Sequence, residues 1–164
     1  MQVLIGEIHP FPNAKCDSEQ AAKILEEAAE VFASWQGYDK CQKAEENGNL
    51  LDQWAVELYR DDLLNECADL IMACANMLHG SGQRIRESYH VATSFQACEK
   101  TYLRTILTQA AMVFLVADDA ENVPSEVQYV IVKTCNVIAS LGITDFRLYM
   151  QECEIRNRER GRYE

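Results

Sequence analysis

One apolar pattern occurs twice in this chain, and it limits the folds available. Ile24–Phe32 reads ILEEAAEVF and Ile106–Phe114 reads ILTQAAMVF, so the apolar positions agree while the acids do not. A second pair follows in the same order: ECADLIMACANML over 66–78 and EVQYVIVKTCNVI over 126–138. Glu126 matches Glu66, Asn136 matches Asn76, and Tyr129 stands where Asp69 would. A two-helix unit cannot bury its apolar face alone, so two such units should pack against each other. The pattern therefore predicts an all-α helical bundle of two tandem pseudo-repeats, folded as a single domain over 1–164. The first unit covers 18–90; the second, degenerate one covers 94–164.

At 100° per residue, Ile24, Ala28, Val31, Phe32 and Trp35 share one helical face, and Glu26, Glu27 and Glu30 share another. The spacing predicts a first helix over about 18–36, capped by Asp17 or Ser18 and stopped by Gly37. Residues 37–49 read as a loop. Helices are then expected over about 50–60 and 62–79, with a break or restart at Asp61 or Asp62. In the latter helix Leu63, Cys67, Leu70, Ile71, Cys74 and Leu78 lie on one side, and Asp62, Glu66, Asp69 and Asn76 on the other. Gly80-Ser81-Gly82 ends it. Residues 83–93 fit a short helix or a loop. Further helices are expected over about 94–118, 125–141 (capped by Ser125) and 145–160 (capped by Thr144 or Asp145), with a loop over 118–124. The β-branched run 127–131 also suits a strand, but its length and caps favour helix. Near the start, Val3–Ile8 reads as extended, and Pro10 and Pro12 forbid a helix after it.

Charge and cysteine usage exclude several functions. A net charge of −11 argues against gripping duplex nucleic acid through its phosphates. It leaves room for a nucleotide whose phosphates arrive with metal ions. The seven cysteines are odd in number, form no CxxC and lack zinc-ligand spacing, which reads as reduced structural thiols in a cytoplasmic protein. The opening MQVLIGEIHPFPN has no basic stretch typical of a signal peptide, and no run reaches membrane-spanning length. There is no P-loop or GxGxxG. His9, His79 and His90 form no ligand pattern.

The acids carry the chemistry. Glu26, Glu27 and Glu30 on one helix, with Glu66 and Asp69 on another, could point four or five carboxylates into one space. Such a cluster repels itself, more so when partly buried. Hard divalent cations relieve that repulsion, which points to a magnesium site with manganese as the alternative ion.

Glu27-x-x-Glu30 followed by Glu66-x-x-Asp69 resembles the ExxE…ExxD signature of the MazG-like all-α nucleoside triphosphate pyrophosphatase superfamily. The tail from Cys135 onward is similar to the C-termini of such proteins, and the resemblance covers most of the chain from about residue 18. It implies magnesium-dependent hydrolysis of a (d)NTP to (d)NMP and pyrophosphate. It implies Glu27, Glu30, Glu66 and Asp69 as metal ligands, with Glu30 orienting or deprotonating the attacking water and Glu26 supporting from behind. Asn76 would reach sugar or phosphate. The duplication is similar to that of dimeric-type dUTPases, in which one chain mimics a two-chain unit. The gap between Glu30 and Glu66 is longer than is usual in the family.

Asn157, Arg158, Arg160 and Arg162 form the only dense basic stretch, and two readings stay open for it. The arginines suit a bidentate grip on phosphate, and they also suit a helix C-terminus. Lys133, one turn before Asn136, is open in the same way; both are candidate substrate contacts. Trp35 reads as core, and Trp54 is open between surface and base stacking. The expected partner is a nucleotide, with no duplex nucleic acid and no membrane, and the chain would act as a monomeric pseudo-dimer or a homodimer. The alternative is a non-catalytic nucleotide-binding or regulatory protein that keeps the fold.

Overall fold

The computed structural model describes residues 1–48, 53–92, 100–119 and 121–164. The starts of the helices expected at 50 and 94 therefore lie outside the described residues, as does Cys98. The described residues form five helices and one two-stranded ribbon, an all-α bundle with almost no strand.

Helix α1 spans Ser18–Glu46. Asp17 caps it: its backbone is extended and its carboxylate accepts the Gln20 N–H at 2.9 Å. Gly37 does not stop this helix. Nothing after it breaks the pattern: Tyr38 and Cys41 extend the buried stripe, and Asp39 pairs with Lys43 one turn on at 2.6 Å. Gly37 instead admits a close neighbour, because a Cβ there would sit 3.1 Å from the Tyr59 ring.

Helix α2 spans Gln53–Gly80 without a break at Asp61 or Asp62. An interior Asp costs only about 0.7 kcal/mol of helix propensity, and both of these acids are exposed. From Leu63 to Leu78 only Asn65, Glu66 and Asp69 keep appreciable access to solvent. This is the central helix of the fold, more buried than the one-sided stripe expected. Asn76, placed on the polar side by the pattern, is 3% exposed. Gly80 is required by the chain that enters α1: a Cβ on it would collide with the Lys15–Cys16 backbone.

Strand β1, Gln2–Leu4, pairs antiparallel with β2, Ser88–His90, with Val3 opposite Tyr89. The ambiguous segment 83–93 thus contributes a strand, not a helix or a plain loop. Helices α3 (Lys100–Leu115), α4 (Val123–Ser140) and α5 (Arg147–Glu159) complete the chain. The run 127–131 is helical. Helix α4 begins at Val123, ahead of Ser125, with Pro124 in its first turn, where a missing N–H costs nothing.

Helix α1 packs on α2 and α3, α4 packs on α3 and α2, and α5 lies along α2. Ile24, Ala28 and Val31 meet a core that includes Leu103, Ile106, Ala110, Val113 and Ile131, all 0–1% exposed. Each large aliphatic side chain buried this way contributes about 1.5–3 kcal/mol. Trp35 is in this core and Trp54 is 70% exposed. None of the six described cysteines forms a disulfide, and five of them are buried. Among the described residues no helix is long and apolar enough to cross a membrane.

Candidate metal centre

The first half of α1 and the middle of α2 run side by side, and their polar residues meet where the two apolar stripes end. Lys23, Glu27 and Glu30 follow one another at i, i+4 and i+7 on α1. Glu66, Asp69, Ala73 and Asn76 follow at i, i+3, i+7 and i+10 on one face of α2. Glu27, Glu30 and Glu66 each present a carboxylate oxygen such that all three lie within 4.8 Å of one another. Glu27 is buried, Glu66 half-buried and Glu30 exposed, so the group opens to solvent on the Glu30 side.

Burial and mutual repulsion disfavour charge here. Burial pushes the Glu27 carboxyl above its ordinary 4.5, helped by the hydrogen bond and charge of Glu30 and opposed by Lys23. Burial also raises Glu66, with Asp69 and Glu27 adding to it and Arg156 opposing. Lys23 Nζ sits 2.7 Å from Glu27 and 3.1 Å from Glu26. Burial works against the lysine's charge, but these two hydrogen bonds outweigh it and raise its pKa.

The three acids line a cavity of about 410 Å³. That volume falls in the range of small-molecule sites, about 300–1,000 Å³. The segment before α1 contributes Phe11, whose N–H donates to Asn76 Oδ1 at 2.8 Å. The chain's other end contributes Asn157, Arg160 and Arg162. The two ends are tied together: the Tyr163 hydroxyl donates to the His9 carbonyl at 2.7 Å, and the Phe11 and Tyr163 rings meet edge to face at 5.1 Å. Four carboxylates and three cationic side chains thus share one cavity. Such a surface suits a polyanion that arrives with a divalent cation.

Of the residues singled out from the sequence, Glu27, Glu30, Glu66, Asp69, Asn76, Asn157, Arg160 and Arg162 are brought to this cavity. The others are not. Glu26 is bound to Lys23 outside the lining. Arg158 lies 4.6 Å over the Tyr163 ring, a cation–π contact that steadies the tail. Lys133 and Asn136 lie on α4 away from the cavity, and the Asn136 amide is spent on the Val132 carbonyl of its own helix at 3.1 Å. Asp69, expected as a fourth ligand, lies outside the three-acid group. Its oxygens accept Arg156 Nη2 at 3.2 and 3.3 Å and the Cys153 thiol at 3.0 Å. Burial and the Asp69 charge push that thiol's pKa up, so it stays a donor.

Sequence reasoning missed Lys23, Gln20, Phe11 and Arg156. Lys23 had a usable signal, since it precedes Glu27 by four residues on one helix. Gln20 precedes Lys23 on the same helical face, and its amide donates to the Ala73 carbonyl at 2.9 Å. Arg156 and Phe11 had none, because their partners are distant in sequence. Comparison of the chain with protein-family models, with curated proteins and with solved structures finds no match.

Proposed function

We propose that this protein is a magnesium-dependent pyrophosphohydrolase that cleaves a (d)NTP to (d)NMP and pyrophosphate. The observation that supports it best is the grouping of three carboxylate oxygens within 4.8 Å, in a cavity that also holds Arg160 and Arg162. The donor set fits the ion: hard, all-oxygen and mostly anionic, as Mg²⁺ or Mn²⁺ prefers. Glu27, Glu30 and Glu66 would hold it. A bound ion would supply positive charge to the phosphate oxygens and lower the pKa of a water. The chain's own residues do the rest. Glu30, the most open of the three acids, accepts a proton from the attacking water. Arg160 and Arg162 bind phosphate oxygens and hold the triphosphate in line for attack. Asn76, fixed by the Phe11 N–H, orients the substrate's sugar or phosphate. A reducing cytoplasmic setting suits the free thiols.

The chain also reads as a duplicated unit with one catalytic centre. The buried positions Ile24, Ala28 and Val31 recur as Ile106, Ala110 and Val113, and Cys67, Leu70, Ile71 and Cys74 as Val127, Val130, Ile131 and Thr134. Gln109 and Glu126, at the places of Glu27 and Glu66, hydrogen-bond directly to each other. On this reading the second unit keeps the fold and dispenses with the ion, and the chain acts as a monomeric pseudo-dimer or pairs again.

The test is a (d)NTP panel assayed with magnesium for pyrophosphate release. Turnover of at least one member is expected, abolished in Glu30→Gln with the helical circular dichroism unchanged. A panel without turnover and without magnesium-dependent binding overturns the proposal. One observation favours a second reading, a non-catalytic nucleotide-binding protein. Lys23 already sits on Glu27 and Arg156 on Asp69, so the chain's own cations partly neutralise the site. Magnesium-dependent binding of a non-hydrolysable nucleotide without any turnover would select that reading.

A further inference from the structure

Helix α5 brings Asn157 to the cavity and leads directly into Arg160 and Arg162, so its seating on α2 decides where those groups stand. Its buried side chains are few: Met150, Cys153 and the polar Asn157. Polar contacts add to this: the Glu154 carboxylate accepts the His9 N–H at 2.8 Å, and a longer seam runs along α2. On α2, Asp61, Asn65 and Asp69 repeat every four residues along one face. They receive, in order, the Tyr149 hydroxyl at 2.8 Å, Arg156 Nη1 at 3.1 Å, and Arg156 Nη2 with the Cys153 thiol at 3.0–3.3 Å. Asp69 is the last partner in this seam and the only one that also lines the cavity. Both its oxygens face Arg156, and it stands outside the group formed by Glu27, Glu30 and Glu66.

We infer that Asp69 is a positioning residue, not a metal ligand. Its carboxylate clamps the end of α5 through Arg156 and Cys153, and so sets the two arginines of the tail for a phosphate-bearing ligand. The inference rests on the proposed function for that ligand's chemistry; the clamp itself does not depend on it. A charged fork bridging two α2 side chains loses its pairing when either partner is neutralised. The loss should appear in α5 and in phosphate binding, and not in metal binding.

The full chain is compared with Asp69→Asn, Arg156→Met, the double variant and Glu66→Gln. The measurements are Mn²⁺ titration, inorganic pyrophosphate binding in saturating Mn²⁺, and amide hydrogen exchange without any ligand. Asp69→Asn should keep Mn²⁺ affinity within about threefold, weaken pyrophosphate by about tenfold, and speed exchange across 148–159. Arg156→Met, whose residue does not line the cavity, should reproduce the last two effects, and the double variant should add little to either single one. Glu66→Gln should lose Mn²⁺ and leave α5 exchange unchanged. Loss of Mn²⁺ in Asp69→Asn to the extent seen in Glu66→Gln, or unchanged α5 exchange, overturns the clamp while leaving the enzyme reading intact. Wild-type protein that takes up neither probe overturns the enzyme reading and the phosphate grip together, whatever the exchange shows.

Discussion

On the proposed duplication, α1/α2 and α3/α4 share buried positions (Ile24, Ala28 and Val31 beside Ile106, Ala110 and Val113) and differ in what stands next to them. In the first pair, Glu27 and Glu66 come together with Glu30 and leave a group of anions at a cavity. In the second, Gln109 and Glu126 occupy the matching places and satisfy each other. Met112 stands where Glu30 would and is 40% exposed, and Tyr129, at the place of Asp69, is 56% exposed. Asn76 is buried and holds the segment before α1, whereas its counterpart Asn136 bonds within its own helix. The contrast separates two demands on one pattern. The apolar stripe is buried in both pairs, whereas Thr108, Gln109 and Met112 stand at the places of Glu26, Glu27 and Glu30. An amide–carboxylate pair satisfies both groups without repulsion, whereas a carboxylate–carboxylate pair carries a repulsion that a bound cation would relieve.

That comparison can be broken or sharpened by experiment. The largest effect should come from Glu30→Gln, which should lower pyrophosphate release by about a thousandfold, while Met112→Gln in the other half changes it less than twofold. Initial rates at saturating magnesium decide this. Next, Ile24→Ala and Ile106→Ala should each destabilise the protein by about 2–5 kcal/mol in urea unfolding. Costs that differ by more than that spread would show that the two stripes are not equivalent.

A smaller effect is expected from Glu27→Gln, which copies the second half's solution into the first. Glu27 and Glu66 have carboxyls raised above 4.5 by burial first and by neighbouring acids second. A group whose folded pKa is raised stabilises the protein below its unfolded pKa, and that stabilisation is lost as pH rises through the folded value. Metal-free protein should therefore gain melting temperature from these two groups as pH falls from 7 towards 4.5. Glu27→Gln should flatten that gain and raise the metal-free melting temperature at pH 7 by about 2 °C. A lowered melting temperature at pH 7 would show that the Lys23 pair outweighs the repulsion. Smallest of all, Lys23→Met should tighten Mn²⁺ by about twofold, because it removes a cation from Glu27, and should shift stability by less than about 1 kcal/mol. Isothermal titration and thermal melts together check it.

The helical class was legible because apolar periodicity is a local property: Ile24 to Trp35 and Leu63 to Leu78 announce their faces without help from the rest of the chain. The acids of the candidate centre were legible for the same reason, since each pair lies within one helix. Element ends were less so. Gly37 and Asp61 carry the usual marks of a stop, yet both lie inside helices. Gly37 answers to the Tyr59 ring and Asp61 to Tyr149, contacts that no local pattern announces. Ser88–His90, inside the ambiguous segment, became a strand because Gln2–Leu4 lies beside it, a pairing across more than eighty residues. The same holds for Arg156. Nothing in its local sequence singled it out, and its partners on α2 are visible only in three dimensions.

The crossing at Gly80 has a consequence for precision. The Lys15–Cys16 backbone rests where any side chain at residue 80 would stand, so the entry to α1 and the exit from α2 share one fixed junction. Both helices continue from that junction without interruption past the carboxylates. At 1.5 Å of rise per residue, α1 carries this junction's alignment over about 14 Å from Ser18 to Glu27. The spacing of the acids is thereby gauged from outside the site, like a jaw set by its hinge pin. A methyl group at residue 80 would be felt at Glu27 and Glu66, although it touches neither.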